Sequence, residues 1–91
     1  MPESKVHELV SLFSQDDVRE NSVRLAKEHP ADIAAALQET EPARAWAILE
    51  EASRPRQADI FGYLDLDFQA QLATIMSRAD LAAIFMEMNA D

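Results

Sequence analysis

Apolar positions along the chain recur at intervals of three and four, and they predict a succession of short helices. Val6, Leu9, Val10 and Phe13 occupy i, i+3, i+4 and i+7, one face of a first helix. A second segment from about Asp16 to Lys27 shows the same face more faintly, through Val18 and Leu25. Further on, the stripes are Ile33 and Leu37; Ala45, Trp46 and Leu49; Ile60, Phe61 and Leu64; Phe68, Leu72, Ile75 and Met76; and Leu81, Ile84, Phe85 and Met88. Strand-type alternation of β-branched residues is missing, so every element reads as helix.

Start signals divide the later part of the chain. Pro30, Pro42 and Pro55 stand near first-turn positions, and Asp65 and Ser77 are candidate N-caps. Ser77-Arg78-Ala79-Asp80 has the form of a capping box, with Asp in place of Glu or Gln. These signals predict five helices at roughly 30–40, 42–52, 55–64, 66–76 and 78–88, joined by connections of a few residues. Helices this short are marginal in isolation and must lean on neighbours.

Three of the segments repeat one pattern, Ala-Asp-aliphatic-x-x-x-apolar, at Ala31 to Leu37, Ala58 to Leu64 and Ala79 to Phe85. Helices around Ala43 to Leu49 and Gln69 to Ile75 alternate with them. Alternating helix types with tight turns predict an all-α, solenoid-like stack of about seven short helices, not a four-helix bundle. Stacks close with a polar capping repeat. The pattern reaches Met88-Asn89-Ala90-Asp91 without one, so the expectation is a domain truncated at its C-terminal end, with residues 1–28 as a helical lead-in and 29–91 as the repeat region.

Composition changes the picture chiefly by exclusion. Ninety-one residues fit one compact domain. Seventeen acidic against eight basic residues give a net charge of -9, which repels phosphate backbones and anionic lipid surfaces, so nucleic acid is a poor partner. A field of that sign attracts cations or basic protein surfaces, and it equally suits a solvated acidic face. Without cysteine there are no disulfides, thiolate zinc sites or cysteine nucleophiles. No apolar run approaches the roughly 18 residues of a membrane span, and Met1-Pro2-Glu3-Ser4-Lys5 lacks the order of a signal peptide, so the chain is expected to be soluble.

Candidate chemistry is sparse. His7 and His29 belong to no motif with a nucleophile, and His29, before Pro30, reads as a residue that starts a helix. Asp16-Asp17, Glu50-Glu51 and the Asp65/Asp67 pair lie on short polar connections and read as solvated helix ends. One glycine cannot build a phosphate-cradling loop, and Asp65 to Phe68 lacks the remainder of an EF-hand loop. Trp46, Phe61, Tyr63, Phe68 and Phe85 read as core. The chain therefore reads as no enzyme. Many hard oxygen ligands on a rigid helical frame suit a weak divalent-cation site completed by groups from elsewhere, since magnesium keeps several of its waters.

His29-Pro30-Ala31-Asp32-Ile33-Ala34, Ala58 to Asp65, Phe68-Gln69-Ala70-Gln71-Leu72 and Met88-Asn89-Ala90-Asp91 occur in an order that resembles the N-terminal cytosolic domain of MgtE-type magnesium transporters. The resemblance runs without gaps from about His29 to the end, whereas the first 28 residues share only their helical character. It implies a right-handed superhelix, followed in the complete protein by paired CBS domains, a connecting helix and a transmembrane pore. It implies, further, a regulatory domain on the cytoplasmic side of the bacterial inner membrane, in a homodimeric transporter, that docks onto the CBS domains through bound Mg2+ and favours a closed pore. Carried over position by position, the metal ligands are Asp59 and Asp91. The alternative is a helical-repeat scaffold that binds another protein, similar in architecture to flagellar motor switch domains.

Overall fold

A computed structural model describes residues 2–15 and 17–89, with side chains from Lys5 onward. Seven helices and no strand are present among the described residues: α1 (Pro2–Phe13), α2 (Val18–Lys27), α3 (Pro30–Leu37), α4 (Pro42–Leu49), α5 (Arg54–Tyr63), α6 (Leu66–Ile75) and α7 (Arg78–Met88).

The predicted start signals act as expected in most places. Pro30 and Pro42 are the first residues of α3 and α4, where a missing N–H costs nothing, and Pro55 is the second residue of α5. His29 Nδ1 accepts the Ala31 N–H at 3.0 Å, so this histidine is the N-cap of α3. Asp17 accepts the Glu20 N–H and Ser77 the Asp80 N–H, both at 3.1 Å. Asp65 holds the N-cap position of α6 without a side-chain cap bond. The capping box at Ser77 is half made, because the Asp80 carboxylate takes Arg54 Nη2 at 3.1 Å.

Helices α3 and α4 stop about a turn short of the predicted 40 and 52. Their last turns tighten from i→i−4 to i→i−3 bonding: Glu39 to Ala36 and Thr40 to Leu37, then Glu51 to Ile48 and Ala52 to Leu49. The predicted start of α2 shifts from Asp16, which lies outside the described residues, to Val18 behind the Asp17 cap.

Each helix packs on the next but one. Helix α3 lies between α1 and α5, and α5 between α3 and α7; in the second row α4 lies between α2 and α6. This i, i+2 order is that of a helical stack and follows the alternation of repeats in the sequence. Between the rows sits a core of Leu9, Phe13, Leu25, Ile33, Leu37, Leu49, Ile60, Phe61, Leu72 and Ile84, all buried. The radius of gyration, 12.2 Å, is what a compact domain of this length has. The stack is therefore closed up on its own core, not extended as a rod.

Several residues expected in the core are instead exposed. Tyr63 is 54% and Phe85 45% accessible, and Val18, Ile75 and Met88 are likewise uncovered. Tyr63 lies edge-on to His29 with ring centroids 5.8 Å apart, and Phe85 edge-on to the buried Phe61 at 6.0 Å. Most of these positions belong to the end of the stack, where α6 and α7 have a neighbour on one side only among the described residues.

The helix C-termini have a solution that local sequence does not announce. Gly62 lies within α5, so no helix ends on a glycine. Side chains from later helices satisfy the carbonyls instead. Arg44 donates to Phe13 O at the end of α1 (3.0 Å), and Arg56 to Leu25 O (2.6 Å) and Glu28 O at the end of α2. Gln57 donates to Ala52 O after α4 (2.9 Å), and Gln69 to Phe61 O and Leu64 O at the end of α5 (2.7 and 3.1 Å). Each bond closes orphan carbonyls and fixes one helix against another, and the two arginines also complement the helix dipole.

Candidate functional site

A cleft of about 440 Å³, open to solvent, lies between α5 and α7. Pro55, Ala58, Asp59 and Gly62 stand at i, i+3, i+4 and i+7 along α5, so the helical period alone puts them on one wall. Tyr63 extends that wall at the end of the helix, and Glu87 and Met88 of the last turn of α7 face it. Direct packing of α5 on α7 puts Glu87 on the same cleft as Asp59, 28 positions away in sequence.

Asp59 is exposed and Glu87 half-buried, and neither carboxylate has a hydrogen-bond or ion-pair partner among the described residues. The neighbouring cations are engaged elsewhere: Arg54 bonds Asp80 and Gln57, and Arg56 bonds the carbonyls at the end of α2. Two acids thus line an open cleft with no ion-pair partner among the described residues.

Of the two residues carried over from the family resemblance, Asp59 lies in this cleft, and Asp91 lies outside the described residues. Glu87 escaped the sequence reading, because only the pairing of α5 with α7 makes it a neighbour of Asp59. The spacing of the Ala-Asp repeats, which puts α5 and α7 in the same row, was the signal that could have found it. Among the described residues no three His, Asp or Glu side chains converge as a metal cage does. Asp59 and Glu87 could supply one oxygen ligand each to a magnesium ion that keeps most of its water, and the rest of the shell would come from another surface.

A second, shallower cleft of about 340 Å³ gathers Gln38, Glu39, Asp65, Asp67, Phe68 and Gln71 between α3 and α6. There the Gln38 Oε1 is occupied by the Asp65 N–H at 2.6 Å. No helix of the described residues is long and apolar enough to cross a membrane.

Seven short helices among the described residues, in two interleaved rows with a cleft between α5 and α7, define an all-helical stacked domain. Residues 28–91 match the MgtE intracellular N domain, and the chain belongs to that family, a domain of magnesium transporters and not an enzyme family. The match begins at the residue that closes α2 and takes in α3 to α7 with the whole cleft. No curated protein and no solved structure matches the chain.

Proposed function

We propose that this chain is the magnesium-sensing regulatory domain of such a transporter, that it is not itself an enzyme, and that it works by docking. The observation that carries this reading is Asp59, an unpartnered carboxylate in the open cleft within the family-matching region. Acidic surfaces facing one another repel at low cation concentration, and a divalent ion between them converts repulsion into attraction. Asp59 and Asp91 supply this chain's ligands, and CBS domains of the same polypeptide supply the others.

Magnesium is then a ligand of the docked arrangement alone. It shifts the population toward that arrangement by mass action, and the docked domain favours a closed pore. The domain works on the cytoplasmic side of the bacterial inner membrane, within a homodimeric transporter. Because one or two carboxylates leave most of the coordination shell to the partner surface, affinity in the isolated domain is weak.

The test is protease protection of the full-length transporter during a magnesium titration. Protection of this domain rises with magnesium in the parent and is shifted to higher concentration in the double variant Asp59→Asn, Asp91→Asn. Protection insensitive to magnesium, or identical in parent and variant, would overturn the reading. The uncovered apolar residues of α6 and α7 favour a second one, a helical scaffold for another protein, which predicts partner capture indifferent to divalent ions.

A further inference from the structure

We propose that α2 is a releasable strap: it swings off the second row as a unit, with α1 and α3 to α7 still folded, and uncovers the Ile48 side of α4.

Packing supplies the first argument. Helix α2 buries Asn21 and Leu25, whereas α3 buries Ile33, Ala34, Ala36 and Leu37; Val18 and Val23 of α2 stand exposed. One large apolar side chain holds ten residues weakly, because a short helix owes its stability to the apolar face that it buries. Two clefts also interrupt the contact of α2 with the second row. One, of about 160 Å³, lies between Val18 and Asn21 on one side and Ala47, Ile48 and Glu51 on the other. The second, of about 200 Å³, separates Ser22 and Ala26 from the turn at Glu51 to Ser53. Helix α1, by contrast, packs along α3 and keeps that support when α2 leaves.

Asn21 supplies the second argument. Its side chain is buried in this seam, and Oδ1 has no hydrogen-bond partner among the described residues. A desolvated acceptor without a donor penalises the closed position, and water reaching the amide removes that penalty. Opening therefore relieves a cost that closure imposes.

Polar bonds hold the strap down. Lys5 of α1 pairs with Glu28 at 3.2 Å, Glu8 of α1 with Arg24 at 3.4 Å, and Arg56 of α5 donates to the Leu25 and Glu28 carbonyls. Part-exposed pairs of this kind exchange readily for water and are screened by salt, unlike buried apolar surface. Because α1 and α3 anchor both ends of the segment 14–29, opening frees a closed loop whose return is entropically cheap.

The inference rests on no part of the magnesium reading, and hydrogen exchange of this chain, followed by NMR at neutral pH, tests it. The amides of residues 21–28 are expected to share one level of protection, below that of α3 and α5. Ile84→Val, which weakens the core at α7, is expected to speed exchange in α3 and α5 about fivefold and to leave α2 unchanged, since α7 stays folded when the strap opens. Asn21→Leu removes the orphan acceptor and is expected to slow exchange in α2 about tenfold. Lys5→Met with Glu8→Gln removes the two ion pairs to α1 and is expected to speed it about fivefold. The chain has no cysteine, so Ile48→Cys places a single thiol under the strap, and its labelling should follow the α2 amides in rate. Protection of α2 equal to that of α3 and α5, acceleration of α2 by Ile84→Val, no slowing by Asn21→Leu, or thiol labelling only at the rate of global unfolding would overturn the proposal.

Discussion

The guanidinium of Arg56 closes the end of a helix to which it is not adjacent in sequence, donating from Nε to the Leu25 carbonyl of α2 at 2.6 Å and from Nη2 to that of Glu28. A half-buried, charge-assisted pair of bonds holds α5 against α2 at the point where the chain turns into α3.

Removing that guanidinium while keeping the stem isolates the effect. Arg56→Met is expected to cost about 2 kcal/mol, because two carbonyls lose their donors, and Arg56→Lys to recover only part of it, since an ammonium cannot span both acceptors. Urea denaturation gives both numbers. A loss in the Met variant no larger than that of an exposed control such as Lys27→Met would refute the capping role.

His29 offers a different kind of cap, an imidazole nitrogen in place of the usual oxygen. Substitution by Ala removes the acceptor for the Ala31 N–H and the edge contact with Tyr63, and it is expected to cost about 1 kcal/mol. His29→Asn restores a capping acceptor and is expected to regain most of that stability. Equal melting temperatures for the two variants would show that the cap contributes nothing.

Much of this architecture is legible in the sequence. Proline and Asp or Ser starts delimit α3 to α7, and the apolar stripes identify Leu9, Ile33, Leu49, Ile60 and Leu72 as buried. Periodicity reports which face of a helix is apolar but not whether a neighbour covers it, which is why Tyr63, Phe85, Ile75 and Met88 stand exposed. The arginine and glutamine caps were hidden for a related reason: Arg44 and Arg56 act across 31 and 28 residues, beyond any local pattern. Of the site, the resemblance supplied Asp59, whereas Glu87 needed the packing of α5 on α7.

Acid is expected to loosen the joint between α1 and α2. Glu28 sits between Lys5 of α1 (3.2 Å) and Arg24 of α2 (3.0 Å), and Arg24 also reaches Glu8 and Glu20. Burial acts against the charged form of Glu28, but the hydrogen bonds from Arg24 and Lys5, with their charges, outweigh it and hold the carboxyl below its ordinary value of 4.5. A depressed carboxyl contributes stability that is present above its unfolded value and lost as pH falls through the folded one. The melting-temperature difference between the parent and Glu28→Gln should therefore be constant from neutral pH down to about that ordinary value, then narrow in stronger acid. A difference independent of pH throughout would remove the electrostatic account.

Gly62 separates what the fold needs from what the cleft needs. It lies inside α5 in ordinary helical conformation, where glycine costs roughly 0.5–1 kcal/mol relative to alanine, and a Cβ there would meet only Met88 Cε at 3.7 Å, an ordinary contact. Nothing in the packing therefore demands glycine, and Gly62→Ala is expected to raise stability by about that amount. The added methyl stands on the wall of the cleft, beside Asp59 and facing Met88. If the docked surface reaches that wall, magnesium-dependent protection of the stabilised variant shifts to higher magnesium, whereas a gain in stability with unchanged protection would mean that docking does not reach the floor of the cleft. Thermal unfolding of this chain and protease protection of the full-length transporter during a magnesium titration, run on the same variant, distinguish these outcomes.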